Sequence, residues 1–184
     1  MDLRLERLTK DREADFLALM ARDEHGGQCW CSAWWVPTWD EYVAQSPDQH
    51  RGVRDGLFAR EIHDGYLAYA DGAPVGWVQA GPRDDLPKLA ETFSLEPDPE
   101  AWAISCFMVL APYRGQGLAH RIFAAAVDDI RGRGANAVEG YPLHGTGHEA
   151  EEVWTGPESL YVAAGFSERA RGPRRVVYRL ELNA

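Results

Sequence analysis

The chain has 184 residues and a formal net charge of −10, because 29 Asp and Glu outnumber 19 Lys and Arg. Its length and its 45% content of hydrophobic residues are those of one globular domain, and they exclude collagen-like, coiled-coil and disordered chains. The acidic balance argues against nucleic acid and anionic membranes as main partners, because both are bound through clustered Lys and Arg.

The sequence contains no segment that predicts membrane insertion or export. The longest apolar runs, Cys106–Ala111 and Ile122–Val127, are six residues long, against the roughly 18 that span a bilayer. The N-terminus lacks the apolar stretch of a signal peptide, and three cysteines are too few and odd in number for a disulfide framework. We therefore expect a cytoplasmic protein.

The first half of the chain predicts a strand, two helices and a hairpin. Residues 3–8 alternate as a half-buried strand does, and residues 14–21 have helical apolar spacing. A segment with four of the seven tryptophans follows, Trp30–Trp39, before a second helix over residues 49–62. Asp71-Gly72, between two apolar stretches, predicts a tight hairpin turn.

The second half contains the clearest elements. Residues 101–110 are almost all apolar and are bounded by prolines, which is typical of a central strand covered on both faces. Apolar residues at helical spacing over residues 118–130 predict a long helix. Shorter segments complete an α/β or α+β single domain over residues 1–184: a strand at 136–141, a helix at 159–164 and a strand at 176–182, with a loop that includes one short helix at 82–99 and a loop at 143–157.

A glycine-containing turn joins the apolar strand to the long helix: Arg114-Gly115-Gln116-Gly117-Leu118-Ala119. The start of a helix has N–H groups without intrahelical partners and the positive end of the helix dipole, which together predict a site for a pyrophosphate. The third glycine of the dinucleotide fingerprint is missing, because His120 stands there, and the phosphate loop G-x-x-x-x-G-K-[ST] does not occur. The alternative is a glycine-rich helix start without a ligand.

The remaining pattern is [Q/R]-x-x-G-x-[G/A], which is met by Arg114, Gly117 and Ala119. With the strand before it and the helix after it, this segment resembles the acetyl-CoA motif of the GNAT N-acetyltransferase superfamily. Leu160–Phe166 is similar to the superfamily's L-Y-x-x-x-G-F segment, and the order of elements fits nearly the whole chain. The resemblance implies the GNAT fold, a central mixed, mostly antiparallel sheet flanked by helices, with acetyl-CoA as cosubstrate.

The resemblance also implies roles in direct transfer of an acyl group from a thioester to an amine. The backbone of Phe107, Met108 and Val109 would pair with the pantetheine arm, and the Val109 N–H would donate to the thioester carbonyl. Tyr161 would protonate the departing thiolate. The pyrophosphate would be held by backbone N–H groups of Arg114, Gly115, Gln116, Gly117, Leu118 and Ala119.

The sequence leaves the general base open. Many members of the superfamily have a Glu on the strand before the turn, but residues 102–110 contain no carboxylate. Glu139, at the end of the next strand, is the best substitute, and His144 and His148 follow it in a loop. A proton relayed by water, or an acceptor that arrives neutral, would also suffice.

The cysteines raise the question of metal binding or nucleophilic catalysis. His25, Cys29 and Cys31 form H-x₃-C-x-C, but no second ligand pair with regular spacing follows, and we expect no metal. Cys31 has no clear neighbouring base for a nucleophilic role. We expect these thiols, and Cys106 in the apolar strand, to pack as small hydrophobic groups.

The tryptophans of the same segment point to the acceptor site. In the GNAT fold the segment between the first two helices borders that site, and aromatic rings favour flat or cationic groups. We therefore expect Trp30, Trp34 and Trp35, with Trp39, to wall the acceptor pocket.

The residues and the resemblance together predict an acetyl-CoA-dependent N-acetyltransferase that acts on a primary amine of a small molecule. One alternative is a protein or peptide amine acetyltransferase. Another is a non-catalytic acyl-CoA-binding module on the same fold, since fold alone does not determine function. A homodimer is expected from the resemblance alone.

Overall fold

A computed structural model describes residues 2–23, 25–145, 147–148 and 152–182 and places them around one seven-stranded sheet. The strand order is β1-β2-β3-β4-β5-β7-β6, and every neighbouring pair is antiparallel except β4 and β5. This mixed, mostly antiparallel sheet confirms the expected fold class. The strands are β1 (Leu3–Arg7), β2 (Gly65–Ala70), β3 (Ala73–Pro82), β4 (Ala101–Val109), β5 (Ala137–Gly140), β6 (Ser167–Arg171) and β7 (Val176–Glu181).

Helices flank the sheet on both faces. In the described ranges, none of them is both long and apolar enough to cross a membrane. Short 3₁₀ turns occur at Lys10–Arg12, Ala33–Trp35, Arg83–Asp85 and Ala111–Tyr113. The α-helices are α1 (Glu13–Arg22), α2 (Gly26–Cys29), α3 (Trp39–Ala44), α4 (Pro47–Ala59), α5 (Pro87–Phe93), α6 (Leu118–Gly132) and α7 (Glu158–Ala163).

Side chains that alternate along the strands form a hydrophobic core on each face of the sheet. On one face, Ile104 and Phe107 of β4 pack with Ile122 of α6. On the other face, Trp77 of β3 packs with Phe16 of α1, with ring centres 4.8 Å apart. β4 is therefore covered on both faces, which explains why almost every residue in it is apolar.

β4 pairs with β5 over only part of its length. Ala101–Ile104 pair in parallel with Ala137–Gly140, where β5 ends, whereas β4 continues to Val109. A bulge leaves Ser105 outside the register with β3, and its carbonyl accepts the indole N–H of Trp34 at 3.0 Å. Beyond the paired part, the edge of β4 that faces away from β3 is open, and the candidate site lies along it.

The structure differs from the sequence expectations in the bounds of several helices. α4 begins at Pro47 rather than at residue 49, because Ser46 and Gln49 form a reciprocal capping box. The tryptophan segment forms α2, a 3₁₀ turn and the start of α3. The short helix expected within the loop at residues 82–99 is α5. Part of the loop expected over residues 143–157 lies outside the described residues.

Candidate active site

A cavity of about 480 Å³ lies along the open edge of β4, and we call it the β4 cavity. Its walls come from the start of α6, from β4, from the segment before α7, and from the segment between α1 and α3. The predicted cofactor-binding residues Phe107, Met108, Val109, Arg114 and Ala119 all line it. The same wall also contains His25, Cys29, Cys31, Trp39 and Cys106.

The backbone of β4 presents one N–H group to this cavity. The Phe107 N–H donates away from β3, to the Trp154 carbonyl at 2.7 Å, whereas the Leu110 N–H donates to the Val75 carbonyl of β3. Because N–H groups alternate in direction along a strand, the Val109 N–H points to the same side as that of Phe107. The Val109 N–H thus faces the cavity, as the oxyanion role requires, while the chain itself binds the Phe107 N–H.

The turn before α6 has the backbone that an anion site needs. Gly115 and Gly117 have φ of +73° and +74°, in the left-handed region that favours glycine. Both are exposed, and a Cβ built at either would meet no atom within 4 Å. Gly117 is the N-cap of α6 and offers no side-chain cap, so the first N–H groups of the helix remain for a ligand. Leu118 is buried and anchors the helix start in the core.

The side chains of Arg114 and Gln116 bind neighbouring groups of the protein. Gln116 donates to the Pro112 carbonyl at 3.0 Å, and Arg114 donates through Nε to the Val109 carbonyl at 2.7 Å. The guanidinium of Arg114 also lies 3.5 Å from the carboxylate of Asp23. These side chains shape the cavity wall and the loop, which leaves the pyrophosphate role to backbone groups.

Tyr161, the predicted acid, lies directly behind the cavity wall. It is fully buried, and it packs so closely on Gly140 of β5 that a Cβ at that position would overlap its ring. Its hydroxyl donates to the carbonyl of Thr155, whose neighbours Trp154 and Pro157 line the cavity. Burial raises the pKa of the Tyr161 phenol. Neither Tyr161 nor Thr155 lines the β4 cavity, so the hydroxyl lies behind the segment from Trp154 to Pro157 rather than on the wall.

Glu139, the predicted general base, is committed to ion pairs inside the sheet. It is 2% exposed, and its carboxylate lies 2.9 Å from Arg179 and 3.3 Å from Arg83. The Tyr141 hydroxyl also donates to it at 3.0 Å. Glu139 does not line the β4 cavity, and its carboxylate is occupied by two guanidinium groups and the Tyr141 hydroxyl. This geometry corrects the base assignment.

His144 and His148 also lie outside the wall of the β4 cavity. Nε2 of His144 is 3.3 Å from the Pro173 carbonyl, and Nε2 of His148 is 2.9 Å from the carbonyl of His144. Neither histidine is therefore placed to take a proton from an acceptor in that cavity.

Asp23 and His25 bring titratable side chains to the wall of the β4 cavity, beside Arg114. The Asp23 carboxylate accepts the N–H groups of His25 and Gly26 and is paired with Arg114. These contacts hold the chain between α1 and α2 and occupy the carboxylate. His25, which the sequence analysis weighed only as a metal ligand, is the imidazole on the cavity wall.

The three tryptophans predicted to wall the acceptor pocket lie elsewhere. Trp34 is 1% exposed, and its indole donates to β4. The indole of Trp35 donates to Asp64 at 2.8 Å, and Trp30 packs against the guanidinium of Arg51. None of these three side chains lines the β4 cavity, because local contacts turn each of them toward the protein. The structure therefore does not support the acceptor role assigned to them.

Trp39, which was expected at the acceptor pocket beside these three, lines the β4 cavity together with Trp77 and Trp154. The ring of Trp34 lies 5.2 Å from that of Trp39 and 5.6 Å from that of Trp154, and so supports both from behind. The sequence analysis had placed Trp154 in a loop without a role. Its one signal in the sequence was a large aromatic residue among Gly, His and Glu.

The three cysteines are free thiols, and all of them line the β4 cavity. The sulfur of Cys31 accepts the indole N–H of Trp77 at 3.0 Å. Burial raises the pKa of Cys31, and a hydrogen bond with Cys31 together with burial raises the pKa of Cys29. Thiols that stay protonated are packing groups rather than nucleophiles. The described residues include no group of three or more His, Cys, Asp or Glu placed to hold a metal ion.

Comparison of the sequence with protein families gives one match. The model of the family described as "Acetyltransferase (GNAT) family" matches residues 16–142, which is more than half of the chain. No curated protein sequence matches.

Solved structures with the same fold cover nearly the whole chain. A GNAT-family acetyltransferase from Listeria monocytogenes is 14% identical, with 97% of this chain and 94% of that chain covered and a TM-score of 0.61. The PaiA N-acetyltransferase from Thermoplasma acidophilum, in complex with coenzyme A, is 8% identical, with 98% and 99% covered and a TM-score of 0.58. An N-acetyltransferase from Staphylococcus aureus is 14% identical over 100% of both chains, with a TM-score of 0.57. The family match and the shared fold confirm the resemblance: the chain belongs to the GNAT acetyltransferase family.

Proposed function

We propose that this protein transfers the acetyl group of acetyl-CoA directly to a primary amine of a small molecule. The observation that carries the proposal is the course of the β4 cavity, from the start of α6, past the Val109 N–H, to a wall that includes Trp39 and Tyr42. A cosubstrate extended along β4 would end where a second molecule can enter. The volume of about 480 Å³ is within the roughly 300–1,000 Å³ of small-ligand sites, and part of it would be filled by the cosubstrate itself.

The residues present fit acetyl-CoA. The exposed N–H groups at the start of α6 offer a site to the pyrophosphate, and the left-handed Gly115 and Gly117 let the backbone approach it. The Val109 N–H would donate to the thioester carbonyl oxygen, where negative charge develops during attack, and so lower the barrier. The thioester supplies the activated acyl group.

Two side chains are proposed to move protons. His25 would take the proton that an ammonium acceptor must lose before it attacks, since an imidazole changes charge between pH 5 and 8. Tyr161 would donate a proton to the departing thiolate, which requires its hydroxyl to leave the Thr155 carbonyl and reach the β4 cavity. Burial raises the pKa of Tyr161, which keeps its phenol in the protonated form that a donor needs.

A non-catalytic acyl-CoA-binding module is the second candidate. The observation that favours it is the state of Asp23, a carboxylate on the cavity wall that is already occupied by Arg114 and by two backbone N–H groups. If His25 does not act as the base, the acceptor must arrive neutral or lose its proton to water.

Calorimetric titration with acetyl-CoA, followed by a thiol-release assay over a panel of small amines and peptides, tests the proposal. We expect binding and turnover of small amines. Binding without turnover of any amine would favour the non-catalytic module, and turnover of peptides alone would favour the peptide acetyltransferase. Absence of binding to acetyl-CoA and CoA would overturn all three.

The proposed base is tested by the pH dependence of kcat/KM. His25→Gln should lower kcat/KM at pH 7 by about 100-fold and should remove its fall toward acid pH, since general base catalysis contributes about 10²–10⁴-fold. His63→Gln is the control, because His63 is bound to Glu13 at 2.8 Å and does not line the β4 cavity. If both variants keep the wild-type profile, His25 is not the base.

A further inference from the structure

A second cavity, of about 650 Å³, shares Trp154 with the β4 cavity. It is bounded by the connection between β6 and β7, which carries Arg171, Arg174 and Arg175, and by the end of α5 at Phe93. We call it the arginine cavity. The acyl-transfer roles assigned above use none of these arginines.

The guanidinium groups of the arginine cavity are not equally neutralised. Arg171 donates to Glu168 at 3.0 Å, and Arg174 lies 3.3 Å from Glu152. Both of these pairs are exposed. Arg175 has no carboxylate partner within the described ranges of the chain. Counted over the described residues, the three arginines and their two carboxylate partners leave one uncompensated positive charge, which belongs to Arg175.

Arg175 is also the least hydrated of the three. Its Nη1 donates to uncharged oxygens, the Tyr141 carbonyl at 3.0 Å and the Thr155 hydroxyl at 2.7 Å, and its guanidinium lies 4.8 Å from the ring centre of Trp154. Burial, and then the nearby Arg174, lower the pKa of Arg175 to about 10. A guanidinium has five N–H donors in a planar fork, so Arg175 keeps donors that are free to bind an oxyanion. The negative charge of that oxyanion would compensate the positive charge of Arg175.

We propose that the arginine cavity binds a carboxylate of the acceptor, so that the substrates are small molecules with both an amine and a carboxylate. This inference rests on the proposed acetyl transfer. One uncompensated charge matches a singly charged carboxylate better than a dianionic phosphate, and Phe93 and Trp154 offer aromatic surface to an apolar body. With the carboxylate at Arg175, the rest of the acceptor would have to pass beside Trp154, the residue that lines both cavities, to reach the Val109 N–H.

Matched acceptors test the carboxylate directly. Apolar amino acids whose amine is separated from the carboxylate by several carbons, their methyl esters and their aminophosphonic analogues are each assayed with acetyl-CoA by thiol release. We expect kcat/KM to be at least about tenfold higher for the free acids than for the esters, because the ester loses the charge-assisted hydrogen bond. Equal values for acids and esters would overturn the proposal. A preference for the aminophosphonic analogues would overturn the assignment to a carboxylate.

Variants of Arg175 test whether this residue causes the preference for free acids over methyl esters. Arg175→Gln should raise KM for the acids about tenfold or more and change KM for the esters less than about twofold. Arg175→Lys keeps the positive charge without the planar fork, so it should retain part of the preference for the acids. It replaces Arg175→Gln as the test if that variant does not fold. Arg171→Gln is the control, because Arg171 is already paired with Glu168. An equal loss for acids and esters would assign Arg175 to support of Tyr141 and Thr155 alone, and would overturn the proposal.

Direct binding separates this inference from the proposed function. Wild type and Arg175→Gln, each saturated with CoA, are titrated calorimetrically with the same amino acids. Arg175-dependent binding without acetylation of any amine would support the carboxylate site and contradict acetyl transfer. Acetylation of amines with no dependence on a carboxylate would support acetyl transfer and overturn the inference.

Discussion

Lys88 brings an ammonium group into the protein interior. The residue is 4% exposed, and its Nζ has no hydrogen-bond partner among the residues that the structure describes. It lies 3.9 Å from the ring centre of Trp39 and 5.4 Å from that of Tyr42, so aromatic rings are what it contacts. Burial lowers its pKa to about 8, because the charged form loses more hydration than the two rings return.

This lowered pKa predicts that stability depends on pH. The ordinary pKa of the group is 10.5, so between about pH 8 and pH 10.5 the unfolded chain binds the Lys88 proton and the folded chain does not. The free energy of unfolding therefore rises with pH across this window, and the burial penalty is fully present below it. Lys88→Met removes the penalty, and should raise the free energy of unfolding by up to about 3 kcal/mol at pH 7 and by little at pH 10.5.

Denaturant unfolding of wild type and variant at both pH values measures this difference. Lys10→Met is the control, since Lys10 is the other lysine of the chain and is not among the buried side chains. Its effect should be small and equal at the two pH values. If Lys88→Met raises the free energy of unfolding equally at pH 7 and pH 10.5, packing and not the buried charge causes the increase.

Tyr161→Phe tests the proposed acid with little change in core packing. Loss of the hydroxyl should lower kcat about 100-fold, since general acid catalysis contributes about 10²–10⁴-fold, and should leave the Kd for acetyl-CoA unchanged. Tyr178→Phe is the matched control, because Tyr178 is also buried and its hydroxyl binds Glu158 at 2.8 Å. An unchanged kcat in Tyr161→Phe would assign that hydroxyl to its hydrogen bond with Thr155 alone.

Single site residues differ in how far the sequence could predict them. The glycines at 115 and 117 could be predicted as part of a tight turn, because a backbone position with positive φ favours glycine. Glu139 was misassigned, because its partners Arg83 and Arg179 are remote in the chain and only the sheet brings them together. Trp34 was misassigned because an irregular segment has no period that shows which side chains point inward.

At the scale of elements, β4 and α6 could be predicted because each has an unbroken pattern. The expected strand over residues 101–110 is Ala101–Val109, and the expected helix over residues 118–130 is Leu118–Gly132. The opening between β4 and β5 could not be predicted. It depends on the bulge at Ser105 and on the Trp154 carbonyl at Phe107, and neither contact follows from spacing along the chain.

Gly117 and Gly134, at opposite ends of α6, offer a matched pair for testing the cofactor loop. Their φ values are +74° and +83°, and a Cβ at either would meet no atom within 4 Å. Each Ala substitution therefore adds backbone strain of about 1–2 kcal/mol without a clash. Gly117→Ala should also weaken acetyl-CoA binding about tenfold, because relief of the strain moves the N–H groups of the loop.

Calorimetric titration and thermal unfolding of the two variants separate strain from binding. Gly134→Ala should lower Tm to a similar degree as Gly117→Ala and should bind acetyl-CoA as wild type does. If the two variants bind acetyl-CoA equally well, the loop before α6 is not where the pyrophosphate is held.

For the whole molecule, ion pairs inside the fold leave the net charge of −10 unchanged, so compatibility with a polyanionic cosubstrate depends on the local field. Asp64 lies 2.6 Å from the buried Arg54, and Asp98 lies 2.9 Å from Arg179. At the start of α6 the favourable potential comes from backbone N–H groups and the helix dipole, which do not enter the formal charge. The total charge therefore says little about the field at the site.

Glu139 joins distant parts of the molecule, since its carboxylate on β5 pairs with Arg179 of β7 and with Arg83 after β3. Glu139→Gln keeps the shape and removes the charge, so two guanidinium groups lose their shared buried partner. We expect the free energy of unfolding to fall by about 3 kcal/mol and kcat/KM, measured where the variant is folded, to change less than about threefold. Asp128→Asn is the control, because Asp128 pairs with Arg131 on the exposed side of α6 and should cost about 0–1 kcal/mol. A 100-fold loss of kcat/KM at unchanged stability would return Glu139 to the role of base, and would require β5 to open toward the β4 cavity during turnover.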